Sequence, residues 1–388
     1  MPARRNPFSH RLSTTLVISV LYPLGPAAII LAPMIVGGVM DSYGFSDQQA
    51  GTVASMEGLG LVVASIFASL WIRKIAWTRV LFVSLLLLAA INIISANLSE
   101  FSDLLISRTL TGFLGGTVFA VAVVALGDNQ QPDRAFGVGQ VVQGAMMFLA
   151  FIAAPYLMQL SGVGGLFYML AGASLLMLVV LIWFPDQGLD RSEAMEQSSG
   201  ESGNTLLIWL GLIASFVFFI NVFGFWAFVE RIGHAAQLSA ATIGLALGVA
   251  QIAAIFGALA AAVAGDRYGR SLPLMIVMVA ESVVLWVLIG EFGAKVFFVG
   301  TSVFQAMFML AVSYQMGAIA RIDIKGRYLV LMTAAQGIGA AVGPSLAAAL
   351  ITESDDYSGI NLMAGICCVA SILLFLFIIR RSNQAVRS

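Results

Sequence analysis

Leu104-Leu105-Ile106-Ser107-Arg108-Thr109-Leu110-Thr111-Gly112-Phe113-Leu114-Gly115-Gly116 places one arginine inside an apolar run that continues to about Leu126. A cation in hydrocarbon costs on the order of 2.5–3.5 kcal/mol on insertion scales. Arg108 is therefore expected to face protein or water, not lipid. Gly112 and Gly116, four residues apart, give a surface that a second helix can approach closely. A charge and a small-residue face on one apolar helix describe an internal helix of a polytopic bundle.

The rest of the chain fits that helix. Of its 388 residues, 60% are hydrophobic and 10% charged, with a mean hydropathy of +0.97. A soluble chain carries about 25% charged residues. The expected class is an all-α membrane protein whose partner is the lipid bilayer. The alternating pattern of an outer-membrane barrel is absent. A net charge of −1 makes no case for nucleic-acid binding. Cys367 and Cys368 are adjacent in an apolar run and have no metal-ligand spacing, so neither a metal nor a cofactor is expected. The basic N-terminus (Arg4, Arg5, Arg11) precedes an apolar run too long for a signal sequence, which reads as a retained first span.

A span needs about 20 apolar residues. On that rule the chain holds twelve, near 15–40, 49–71, 79–97, 102–127, 135–158, 165–184, 205–229, 241–264, 272–290, 295–319, 328–352 and 359–379. The one long polar stretch, 185–204, reads as a flexible linker. It separates an N-terminal six-helix bundle, 1–184, from a C-terminal one, 205–388. If the N-terminus is cytoplasmic, sixteen of the nineteen Lys and Arg residues fall on that side. Arg231 and Lys295 fall on the other, and Arg108 lies within the membrane. That bias predicts a multi-pass protein of the inner (plasma) membrane with both termini cytoplasmic.

Three local patterns carry a resemblance. The first is Arg108-x-x-x-Gly112-x-x-Gly115-Gly116 in the fourth span. The second is Gly265-Asp266-Arg267-Tyr268-Gly269-Arg270 between spans eight and nine. The third is Gly339-x-x-x-Gly343-Pro344 in the eleventh. With two six-span halves and a cytoplasmic linker, the whole chain resembles the major facilitator superfamily of secondary transporters. The Asp-Arg-x-Gly-Arg loop is the most specific of the three. The first-half copy of that loop, 68–75, has neither its aspartate nor its glycine. The fifth span, 137–155, lacks the Gly-Pro run that resembles an antiporter signature.

The resemblance implies two pseudo-symmetric bundles that rock about a central cavity lined by spans one, four, seven and ten. Candidate cavity residues on those spans are Tyr22, Arg108, Asn221, Phe225, Trp226, Gln305 and Tyr314. An apolar, aromatic cavity with few polar handles suits a small amphipathic or aromatic solute, or an organic anion paired with Arg108. It does not suit a polyhydroxylated sugar.

Glu57 and Glu281 are the two carboxylates deep in the spans, and neither histidine is deep. Glu57 lies about eight residues, and Arg108 about six, from the outer ends of their spans, so both sit roughly 9–12 Å deep. They are read as a proton-coupling pair, with Glu57 titrating. Glu281, on a span that the resemblance makes peripheral, is a second buried acid. Asp266, Arg267, Arg270 and Arg327 form a candidate cytoplasmic gate. Glu230 and Arg231, at the outer end of span seven, are read as a gate or as a solvated pair.

The functional expectation is proton-coupled transport of a small molecule, by symport of an organic acid or efflux by antiport. A uniporter or a transport-inactive sensor on the same fold is the alternative. With no Gly-x-x-x-x-Gly-Lys loop and no appended soluble domain, neither an enzyme nor an ATP-driven pump is expected. The oligomeric state stays open, a monomer being sufficient.

Overall fold

The computed structural model describes residues 12–129, 131–186, 205–265, 267–322, 327–351 and 356–385. Among them every regular element is helical, and the twelve expected spans are twelve helical segments. Among the described residues, nine helices are long and apolar enough to cross a membrane. The other three segments have local reasons for falling short. Span one is cut by its prolines into Leu12–Leu21, a 3-10 turn at Tyr22–Leu24, Ala27–Ile30 and Ala32–Tyr43. Proline lacks the N–H that would continue the ladder and its ring clashes with the preceding turn. Span nine, Ser271–Val287, is only 17 residues long. Span eleven, Arg327–Ala348, is long enough, but Gln336, Gly337, Gly339, Gly343 and Pro344 dilute its apolar character.

The remaining spans are Asp47–Trp71, Trp77–Ser95, Phe101–Gly127, Pro132–Ser161, Gly164–Val180 with a 3-10 extension to Trp183, Thr205–Ala235, Ala240–Ala264, Ala294–Ile322 and Ser358–Ala385. Span two starts sharply because Ser46 and Gln49 form a capping box, with Asp47 in the first turn. Span one stops at Gly44, whose φ of 68° is a left-handed cap that favours glycine. The expected linker 185–204 lies outside the described residues beyond Asp186. The Asp186 carbonyl accepts from the Trp77 N–H at 2.8 Å.

Packing follows the same plan in each half. Spans two and four pair, as do eight and ten; one and five pair, as do seven and eleven; three and six pair, as do nine and twelve. This is the pseudo-symmetry of two six-helix bundles. Glycines set the tightest approaches. A Cβ at Gly112 would collide with the Glu57 carbonyl, and one at Gly257 with the Ala306 carbonyl. Those are the two–four and eight–ten contacts, at backbone distance. Between the halves, span two packs on eleven, five on eight, and seven on the second part of one. Large apolar side chains such as Leu160, Ile182 and Trp286 point outward, as lipid-facing residues do.

Below, the face that carries Leu12 and Ala385 is called inner. Every hydrogen bond described between the halves lies toward the other face. Trp226 donates to the Ile30 carbonyl, Arg231 reaches Asp41 and Gly37, the Ser345 N–H donates to Ser55 Oγ, and Tyr357 reaches Asp47.

Candidate functional site

Glu57 and Arg108 meet inside the N-terminal bundle. Arg108 Nη1 lies 3.5 Å from Glu57 Oε1, with Arg108 fully buried and Glu57 at 4% exposure. Arg108 Nη2 donates to Asn92 Oδ1 at 3.0 Å and to Ser95 Oγ at 2.7 Å. The Phe167 ring lies 4.2 Å from its guanidinium carbon, a cation–π contact. Thr111 donates to Glu57 Oε1 at 2.9 Å. Burying two charges is tolerated only with such surrounding hydrogen bonds. Asn92 and Ser95, from span three, are the partners that sequence reasoning missed. Each is an isolated polar residue, and only the fold turns it toward the arginine.

Glu57 also stands between two very small cavities. One, of about 20 Å³, lies within the N-terminal bundle against Asn92, Thr111 and Ser174. The other, of about 10 Å³, lies at the seam against Phe223, Ala340 and Pro344 of the other half. A water needs about 10–15 Å³ of such space, so each has the size of roughly one water.

The second buried acid is held differently. Glu281 is fully buried and accepts from Asn221 Nδ2 at 2.9 Å, with the Cys368 thiol as its other neighbour. No basic side chain bonds to it among the described residues. Asn221 therefore points away from the centre, into the C-terminal bundle.

Of the other candidate cavity residues, the structure brings two to a central cavity of about 70 Å³, Trp226 and Gln305. They share it with Gln140, Gln143, Gln251 and Phe223. Tyr22 stands behind it, accepting a hydrogen bond from Gln140 Nε2 at 3.3 Å. Phe225 is buried against Phe304, with ring centroids 4.6 Å apart. Tyr314 donates to the Gly265 carbonyl at 2.9 Å near the inner face. Arg108 does not line the cavity. The glutamines of spans five and eight were missed, although polar amides in apolar spans are a readable signal.

At the outer face, Arg231 ties three groups together. Its Nη2 donates to Asp41 Oδ2 at 2.6 Å and to the Gly37 carbonyl at 3.0 Å, and its Nε to Glu230 Oε2 at 2.9 Å. This is a clamp between spans one and seven, not a solvated pair, and Asp41 is its unforeseen member. At the inner face, Arg73 Nη2 donates to Asp128 Oδ1 at 3.0 Å, and a second contact makes the pair bidentate. Of the expected cytoplasmic gate, Asp266 and the Arg327 side chain lie outside the described residues. Arg267 is exposed, and Arg270 packs against Gly317 of span ten.

The family model of the Major Facilitator Superfamily matches residues 15–209 and 211–387. No curated protein matches the sequence. Similar solved structures include the xylose transporter XylE from E. coli in an inward-open conformation. It is 14% identical, with 92% of this chain and 94% of that one covered and a TM-score of 0.71. A bacterial homolog of the human lysosomal transporter Spinster, inward-facing and unoccupied, is 12% identical, with 99% and 98% covered and a TM-score of 0.74. The nucleoside transporter NupG is 14% identical, with 94% and 98% covered and a TM-score of 0.73. At these identities the likeness is one of fold.

Proposed function

This chain belongs to the major facilitator superfamily, and we propose that within it the protein moves a small amphipathic or aromatic solute across the inner membrane, coupled to protons at Glu57. The supporting observation is the Glu57–Arg108 pair, buried in the N-terminal half and bordered by one-water cavities on two sides. Loss of the Glu57 charge leaves a buried guanidinium without its counter-charge. The surroundings then favour a different arrangement of spans two and four, whose backbones touch at Gly112 and Glu57. A proton thereby acts as a ligand with different affinity for two conformations.

The inter-half hydrogen bonds cluster at the outer face, which supports an inward-facing state with the Arg231–Asp41 clamp closed. Rocking of the two bundles about the two–eleven and five–eight seams would open that clamp and close the inner side. In this reading both termini are cytoplasmic, and a single chain is sufficient for the cycle.

The test uses liposomes containing the purified protein, with a pH-sensitive dye inside. A solute gradient is predicted to drive proton movement, its sign separating symport from antiport. Solute movement with no proton movement would leave a uniporter, and binding with no movement a sensor.

A further inference from the structure

Four glutamines converge on the central cavity: Gln140 and Gln143 from span five, Gln251 from span eight and Gln305 from span ten. Trp226 and Phe223 line the same cavity. Gln251 is 6% exposed and its Nε2 has no hydrogen-bond partner; the buried Oε1 of Gln143 also has none. Buried polar groups are nearly always bonded. A donor and an acceptor without partners, buried on two residues that line one cavity, suit a ligand that offers both.

The cavity also excludes. Among the described residues, no Lys, Arg, His, Asp or Glu lines it. Arg108, the cation that an organic anion would need, is fully buried and engaged with Glu57, Asn92 and Ser95. An ion of either sign would enter without a counter-charge, which is unfavourable in an apolar site. Trp226 is held in place by its bond to the Ile30 carbonyl and by an edge contact with Phe151, with ring centroids 6.1 Å apart. Its ring is thus fixed at the cavity lining, where a planar ligand can pack against it.

A glutamine amide pairs side by side with a donor–acceptor edge of a planar heterocycle, while aromatic side chains stack on the ring's faces. We propose that this cavity binds an uncharged planar heterocycle carrying a donor and an acceptor on one edge. The proposal rests on the transporter reading above and decides against an organic acid as its solute. The volume of about 70 Å³, room for about five to seven waters at about 10–15 Å³ of such space each, fits a compound of one or two fused rings and not a large multi-ring drug.

The test is equilibrium binding to the full-length protein in nanodiscs with no ion gradient. The probes are uracil, adenine and nicotinamide, with benzoate and N-methylpyridinium as charged rings. The expected result is that at least one neutral heterocycle binds ten or more times tighter than either ion. Gln251→Leu and Gln305→Leu should each weaken it at least tenfold while thermal unfolding shows a folded protein. Benzoate or N-methylpyridinium binding as tightly as the best heterocycle would overturn the proposal. So would binding of none of the three, or wild-type affinity in a folded Gln251→Leu variant. Because no gradient is used, a heterocycle that binds but drives no protons leaves this site standing and removes the coupling. Failure of all three while another compound moves protons does the reverse.

Discussion

In the N-terminal half Glu57 faces a guanidinium 3.5 Å away; in the C-terminal half Glu281 faces the Asn221 amide at 2.9 Å. Both carboxyl groups are almost out of reach of solvent. An amide carries a donor and an acceptor, so a rotated Asn221 can serve Glu281 whether or not the acid is protonated. A guanidinium only donates. Protonation of Glu57 therefore leaves Arg108 uncompensated, whereas protonation of Glu281 changes little around it. Two halves of one architecture thus place an acid beside a cation in one case and beside a neutral group in the other. On the proposed reading, only the first arrangement ties a proton to the position of a helix.

The largest effect is expected at Arg108. Arg108→Ala removes the cation and leaves Glu57 buried alone, and breaking such a pair costs about 3–5 kcal/mol. Thermal unfolding should fall sharply and solute uptake should be lost. A doubly neutral variant, Glu57→Gln with Arg108→Gln, should recover much of the stability but none of the coupling. If Arg108→Ala unfolded at the wild-type temperature, the buried pair would not matter to the bundle.

Next is Glu57→Gln, which keeps the Thr111 hydrogen bond and removes the charge. Proton-driven accumulation should drop at least about tenfold, equal to about 1.4 kcal/mol, while exchange of solute against solute continues. Counterflow assays separate the two. Loss of exchange as well would make Glu57 a structural group.

A smaller effect is expected at the outer clamp. The Asp41 side chain is 56% exposed, and ion pairs of that kind contribute about 0.2–1 kcal/mol. Asp41→Asn should shift the conformational balance toward the outward-open state by up to about fivefold. Spin-label distances across the outer ends of spans one and seven would report it. An unchanged distance distribution would remove the clamp from the cycle.

Glu281→Gln should matter least. It preserves a partner for Asn221, and isosteric neutral replacement of a hydrogen-bonded group is nearly neutral, within about 0.5 kcal/mol. Solute-driven proton movement should change less than twofold.

How much of this could be read beforehand divides along the same line. Glu57 and Arg108 stood out because charges in apolar runs are rare, and depth arithmetic placed them level. Helix rise fixes depth, so pairing followed without the fold. Facing does not follow from rise. Asn221, Phe225 and Tyr314 lie on spans expected around the cavity, yet their side chains turn into the C-terminal bundle or toward the inner loop. Gln140, Gln143 and Gln251 lie on spans five and eight, outside the four expected to line the cavity, and three-dimensional packing brings them to its wall. Asp41 sits at a helix end where a carboxylate needs no explanation until Arg231 is seen beside it. The twelve spans were legible because hydropathy counts residues. The breaks in span one were legible as prolines, but their consequence, a short helix offering the Ile30 carbonyl to Trp226, required the other half.

The most direct measurement compares solute-driven proton movement in liposomes for wild type, Glu57→Gln and Glu281→Gln at matched protein density. The account predicts movement in wild type, none in Glu57→Gln and near-wild-type movement in Glu281→Gln. Movement preserved in Glu57→Gln but lost in Glu281→Gln would contradict it, and would place the proton in the C-terminal half.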